Sequence, residues 1–194
     1  VGAQLLRNLE AFGNSVSLID VNRSDPDNLE VDGPKHLATA DFDLDGLPDL
    51  AASKVFGKVA VVFGEGGTDF SPAQFLSPPA DTGELRGITT ADFNGDGRPD
   101  IAIAAPYSGR VVLFASLGNQ TFGAPVVIEA WRGVRALLPL DLDGDGDQDL
   151  IAAGPVGDAH RATKAEVRPL INDGSGKFLM GDHLSLTGGS WRDK

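Results

Sequence analysis

Asp41-Phe42-Asp43-Leu44-Asp45-Gly46-Leu47-Pro48-Asp49 is one of three related nine-residue stretches in this chain. The other two are Asp92-Phe93-Asn94-Gly95-Asp96-Gly97-Arg98-Pro99-Asp100 and Asp141-Leu142-Asp143-Gly144-Asp145-Gly146-Asp147-Gln148-Asp149. Side-chain oxygens fall at positions 1, 3, 5 and 9, with glycine at 6. Position 7 (Leu47, Arg98 or Asp147) can lend a backbone carbonyl. Carboxylates at every second residue repel one another unless a cation sits between them. A set of hard oxygens of this kind suits an ion that takes roughly 6–8 ligands, and calcium is the first candidate. The glycine allows the sharp turn that lets the flanking oxygens converge.

Working outward, the neighbourhood of each loop repeats as well. A strand precedes each one: Leu37-Ala38-Thr39-Ala40, Ile88-Thr89-Thr90-Ala91 and Ala136-Leu137-Leu138-Pro139-Leu140. A small-residue apolar run follows: Leu50 to Ser53, Ile101 to Ala104 and Leu150 to Ala153. A third strand is expected at Lys58–Phe63, Arg110–Phe114 and Glu166–Ile171. A glycine-containing turn comes next, and Phe70, Phe122 or Phe178 opens a fourth strand. The loop starts are spaced 51 and 49 residues apart. Period-two alternation and β-branched residues dominate, with no helical period. Repeated four-stranded units of this length read as propeller blades, each burying its faces only against its neighbours.

The expected fold is therefore all-β, a β-propeller segment of about three and a half blades. A half-blade occupies 1–34, where Gln4 to Arg7 and Phe12 align with a third strand and its phenylalanine. Whole blades occupy 35–84, 85–132 and 133–190, the last with an insertion near 155–164. Trp191-Arg192 repeats Trp131-Arg132, so a further unit is expected to start there. Missing blades in a longer chain, or other copies of this one, are expected to complete the ring.

The pattern Asp-x-Asp/Asn-x-Asp-Gly-x-x-Asp-Leu/Ile in a fifty-residue blade resembles the FG-GAP/VCBS repeat family. Its members form the blades of integrin α-type propellers and of many bacterial secreted proteins. Asn172-Asp173-Gly174-Ser175-Gly176-Lys177-Phe178 resembles that family's turn between strands three and four. The resemblance implies calcium between strands one and two of each blade, three sites in all. It also implies an extracytoplasmic adhesion or interaction role. Asn94 departs from the pattern by replacing a carboxylate.

Composition agrees. The net charge is −12, and the three loops hold twelve Asp; the other sixteen acidic residues balance the sixteen basic ones. The acidity thus belongs to the loops, and with no basic stripe nucleic acid is not an expected partner. Absence of cysteine excludes disulfides and thiolate metal sites. No apolar run reaches the length of a membrane span.

Rival readings fail on spacing. An EF-hand needs Glu at position 12, and here Ala52, Ile103 and Ala152 stand there. No nucleophile elbow or P-loop is present. His36, His160 and His183 lie far apart and read as surface or packing residues. Asp20 to Asp27 reads as an acidic surface loop. Phe12, Phe70, Phe122 and Phe178 read as packing between blades.

No catalytic residue is expected. In an up-and-down blade, turns alternate between two rims. The rim opposite the acidic loops gathers Phe56, Arg86, Tyr107, Trp131, Arg132, His160, Arg161, Lys164 and Trp191. Trp, Tyr and Arg are enriched at interface hot spots, so Trp131, Arg132, Tyr107, Trp191 and Arg86 are the candidate contacts for a protein or glycan partner. The expected function is a non-catalytic, calcium-binding interaction or adhesion module, extracellular or periplasmic. A carbohydrate-binding or accessory domain of a secreted polysaccharide-acting enzyme is the alternative.

Overall fold

A computed structural model describes residues 34–54, 57–67, 69–156 and 164–183. Phe12, Phe56, His160, Arg161, Trp191, the Asp20–Asp27 stretch and the leading half-blade lie outside them. The described residues form strands and no helix. The strands are β1 (Pro34–Ala40), β2 (Asp49–Lys54), β3 (Val59–Val62), β4 (Gly64–Gly66), β5 (Asp69–Phe70), β6 (Gln74–Leu76), β7 (Ile88–Ala91) and β8 (Asp100–Ala105). They continue with β9 (Arg110–Phe114), β10 (Ser116–Gly118), β11 (Thr121–Phe122), β12 (Val126–Glu129), β13 (Ala136–Leu140), β14 (Asp149–Pro155), β15 (Ala165–Asn172) and β16 (Phe178–Met180).

Three antiparallel four-stranded sheets result, in the orders β1-β2-β3-β6, β7-β8-β9-β12 and β13-β14-β15-β16. Each is a meander in which successive main strands pair, as a propeller blade requires. The acidic loops join the first two strands of each sheet.

The sheets stack face to face through alternating side chains. Ile101 and Ile103 of β8 pack toward the first sheet, with Ala51, Val59 and Val61. Ala102 and Ala104 of the same strand pack toward the third, with Leu150, Ala152 and Leu170. Strand β8 is buried along its whole length. That is why its sequence after Asp100 is an unbroken apolar run rather than a polar–apolar alternation.

The phenylalanines behave differently from the simple expectation. Phe70 and Phe122 do not open the fourth strand of their sheets. They lie in the small hairpins β4-β5 and β10-β11, and the fourth strand begins only at Gln74 or Val126. The cause is local: Ser71 and Gly123 donate their N–H back to the carbonyls of Phe63 and Ala115, which closes the hairpin before the sheet resumes. Phe178 does pair directly, opposite Asn172. The aromatic contacts cross between blades. Phe122 meets Phe42 edge-on at 5.5 Å, and Phe178 meets Phe93 edge-on at 5.8 Å. Such pairs contribute beyond their buried area.

A polar bond backs each aromatic joint. Ser116 Oγ donates to the Phe42 carbonyl at 2.7 Å, and Asn172 Nδ2 donates to the Phe93 carbonyl at 2.8 Å. Phe93 is fully buried at the second joint. Phe93→Ala is expected to lower stability by about 3–5 kcal/mol in urea unfolding, the cost of an aromatic core deletion. A loss under about 1 kcal/mol would mean that the blades do not depend on this joint.

Candidate functional site

The three loops share one hydrogen-bonding scheme. The position-1 carboxylate turns inward and accepts from backbone N–H groups ahead of it. Asp41 accepts from Asp45 and Gly46 at 3.1 and 2.8 Å, and Asp92 accepts from Asp96 and Gly97 at 3.1 and 2.7 Å. Asp141 accepts from Gly144 and Gly146 at 2.7 and 3.2 Å. Position 3 accepts from the position-5 N–H, through Asp43, Asn94 and Asp143. Position 5 accepts from the position-7 N–H, through Asp45, Asp96 and Asp145. These are Asx turns, which Asp and Asn form readily. The chain coils around a centre and leaves the remaining oxygens facing it. Gly46, Gly97 and Gly146 all have left-handed φ, near +81 to +98°. Leu44 also has a left-handed φ of 62°, where the other loops place Gly95 and Gly144.

Position 9 differs from the rest. Asp49, Asp100 and Asp149 are fully buried. Each grips two distant backbone groups. Asp49 accepts from Phe42 N at 2.7 Å and Gly64 N at 2.8 Å. Asp100 accepts from Phe93 N at 3.1 Å and Ser116 N at 2.9 Å. Asp149 accepts from Leu142 N at 2.9 Å and Asn172 N at 2.8 Å. One carboxylate thus ties its own loop to the end of the third strand. Gly64, Ser116 and Asn172 form a functional column that the residue types conceal. Its only sequence signal is their common place just after the third strand.

Burial pushes the Asp100 carboxyl up to about 6, against two backbone hydrogen bonds that lower it, and nearby Asp96 and Asp92 add to the rise. Asp49 is raised for the same first reason, with Asp43 and Asp41 contributing. A like-charged, desolvated cluster favours either a proton or a cation.

Carboxylate oxygens of Asp41, Asp43 and Asp49 lie within 4.8 Å of one another, as do those of Asp141, Asp143 and Asp149. Hard oxygen donors at this spacing, on a loop already coiled around them, fit a divalent cation. The second loop has Asn94 in this set, and its Asp96 pairs with Arg98 at 2.5 Å. Gln120, from the neighbouring blade, donates to Asp43 at 3.0 Å, a contact with no signal in the loop pattern.

On the opposite rim, Tyr107 is exposed and borders a cleft of about 600 Å³ with Lys58, Pro78, Pro79, Thr82 and Glu84. Trp131 is half-buried against the second core; its Nε1 donates to Pro155 at 3.3 Å and Arg168 lies 5.8 Å over its ring. Arg86 pairs with Glu84 at 2.5 Å, and Arg132 is exposed. Trp191 lies outside the described residues.

The FG-GAP-like repeat model matches residues 41–103 and 92–152, more than half of the chain. The chain belongs to the FG-GAP-like repeat family. Human integrin alpha-7 is 29% identical over 156 residues, 70% of this chain and 13% of the integrin. Human integrin alpha-6 is 26% identical over 170 residues, 84% of this chain and 14% of the integrin. Rat phosphatidylinositol-glycan-specific phospholipase D is 27% identical over 152 residues, 61% of this chain and 18% of that protein. The chain therefore spans under a fifth of the length of these relatives.

The raised Asp100 carboxyl has a signed consequence. Its ordinary value is 3.8, so between about pH 4 and 6 the folded chain holds a proton that the unfolded chain releases. Its contribution to stability grows as pH falls through about 6. In excess chelator, stability of the parent relative to Asp100→Asn is expected to rise by about 1 kcal/mol from about pH 7 to 5. A divalent cation held at this loop would favour the ionised carboxylate and reverse the trend. A flat difference in chelator would show that burial does not govern this group.

Proposed function

We propose that this chain is a calcium-binding β-propeller interaction module without catalytic activity of its own, working in an extracellular or periplasmic setting. The observation that carries this reading is the buried position-9 carboxylate, which grips the third strand while the cation-facing oxygens gather beside it. A cation there holds the loop closed and locks strand one, strand two and the end of strand three together. Such binding stabilises the fold by mass action.

The proposed ligands are Asp41, Asp43, Asp45, Asp49 and the Leu47 carbonyl in the first loop. The second uses Asp92, Asn94, Asp96, Asp100 and the Arg98 carbonyl. The third uses Asp141, Asp143, Asp145, Asp149 and the Asp147 carbonyl. Extracellular calcium modules bind at about 10⁻⁴–10⁻³ M, which suits a calcium-rich environment. The integrin likeness supports an adhesion or interaction role, and the phospholipase likeness spans 18% of that enzyme.

Partner contact is placed on the rim away from the acidic loops, around Tyr107 with Arg86, Trp131, Arg132 and Trp191. A further blade is placed elsewhere. Leu138, Leu142 and Leu179 are exposed on the side of the third sheet that, in the first two blades, meets the next blade. No helix among the described residues is long and apolar enough to cross a membrane.

Thermal unfolding in millimolar calcium and in excess chelator tests the reading. Calcium should raise the midpoint by several degrees, and an unchanged transition would overturn it. One feature favours the alternative of glycan binding: the exposed Tyr107 ring beside a cleft of ligand size. If that reading holds, a glycan array should give hits that Tyr107→Ala abolishes; silence across a broad array would remove it.

A further inference from the structure

The three loops have the same backbone and different charges, and the difference concentrates at position 7. In every copy the position-7 N–H does one task, donating to the position-5 carboxylate at 2.8, 2.9 and 2.9 Å. In every copy its side chain lies over the turn that follows the third strand. Leu47 packs on Gly64 and Gly66; a methyl added at Gly64 would fall 3.2 Å from Leu47 Cβ. Arg98 Cδ lies beside Gly118, and its Nε donates to the Ser116 carbonyl at 3.0 Å. The Asp147 carboxylate sits against Gly174, where an added methyl would fall 2.3 Å from Oδ2. The side chain is thus held at the loop's flank, and its identity can change without altering the cage.

Its charge does change. Leu47 is neutral, Arg98 cationic and Asp147 anionic. Arg98 also turns its guanidinium onto Asp96 Oδ2 at 2.5 Å, so a tethered cation already neutralises a carboxylate of that loop. Counting ionised side chains, the first loop carries −4, the second −2 and the third −5.

We propose that the residue at position 7 sets the order in which the loops take calcium: the Asp147 loop first, the Leu47 loop next and the Arg98 loop last. The inference rests on the calcium reading above and adds a ranking to it. A unit charge roughly 8 Å from a divalent ion in a water-like medium changes affinity about fivefold. The two-charge difference between Asp147 and Arg98 then separates the third and second loops by roughly thirtyfold, and Asn94 widens the gap. The middle blade is the last to close and the first to release its ion. Among the described residues it is also the blade packed on both faces, so calcium at this loop acts on both joints.

Gly46, Gly97 and Gly146 each occupy position 6 of one loop, so their amide signals report the loops separately. Calcium titration of the whole chain, followed by ¹H–¹⁵N NMR from a chelated start, should move Gly146 first, Gly46 next and Gly97 last. Arg98→Leu should tighten the Gly97 transition about fivefold and leave the other two in place. Asp147→Leu should weaken the Gly146 transition by a similar factor. Added salt should narrow the spread, because exposed charges are screened. Transitions that coincide, Gly97 moving first, or a Gly97 midpoint indifferent to Arg98→Leu would overturn the ranking while leaving calcium binding intact. No response from any of the three glycines would overturn the calcium reading itself, and the ranking with it.

Discussion

The structure depends on a carboxylate buried at the base of each acidic loop. Asp49, Asp100 and Asp149 are ionisable groups out of contact with solvent, an expensive placement unless their oxygens are satisfied. Each is satisfied by two backbone N–H groups, one from its own loop and one from the end of the third strand. That pair of bonds decides where the loop lies relative to the sheet. It also decides which way the second loop residue points. With its N–H committed to Asp49 or Asp100, Phe42 or Phe93 is turned toward the next blade. The aromatic joint between blades therefore follows from the acid beneath it.

The joint is a shared part of two neighbouring repeats. Phe42 and Phe93 come from the loop of one blade, Phe122 from the small hairpin and Phe178 from the fourth strand of the next. Ser116 and Asn172 bond across the same boundary through a side chain, while their own backbone N–H binds the acid of their own blade. One residue thus couples an intra-blade clamp to an inter-blade bond. This is how a repeat protein makes local units cooperative: a unit whose loop is disordered also loses its grip on its neighbour.

Much of this was legible in the chain. Three acidic stretches at a fifty-residue spacing, flanked by alternating apolar runs, were enough for the propeller class and for the strands on either side of each loop. The two-rim argument put Tyr107 on the rim opposite the acidic loops, where it borders the cleft, while the reach of Gln120 to Asp43 across the blade boundary had no signal in the loop pattern. Other features were hidden for physical reasons. Gly64, Ser116 and Asn172 act through a backbone N–H, which every residue but proline has, so no residue type marks the column. Phe70 and Phe122 were misplaced because a closed hairpin and a strand start look alike in composition. Only the return hydrogen bonds from Ser71 and Gly123 distinguish them. Trp131 was a candidate contact because tryptophan is common at interfaces; residue type alone did not tell that its indole is half-buried and bonded to a neighbouring strand.

The division between the two rims has a consequence for how such a module works. Loops joining strands one and two carry the charge, and they share their rim with the turns that follow strand three. Connections on the other rim are free of that requirement. They can vary in length, as the long β14 and β15 do where they lead into the insertion, without disturbing any clamp. The acidic rim is constrained by the repulsion among its carboxylates and by the glycines its turns need. The opposite rim has glycine requirements of its own: Gly109 and Gly133 take left-handed φ of 74 and 105°, and a methyl added at either would run into backbone.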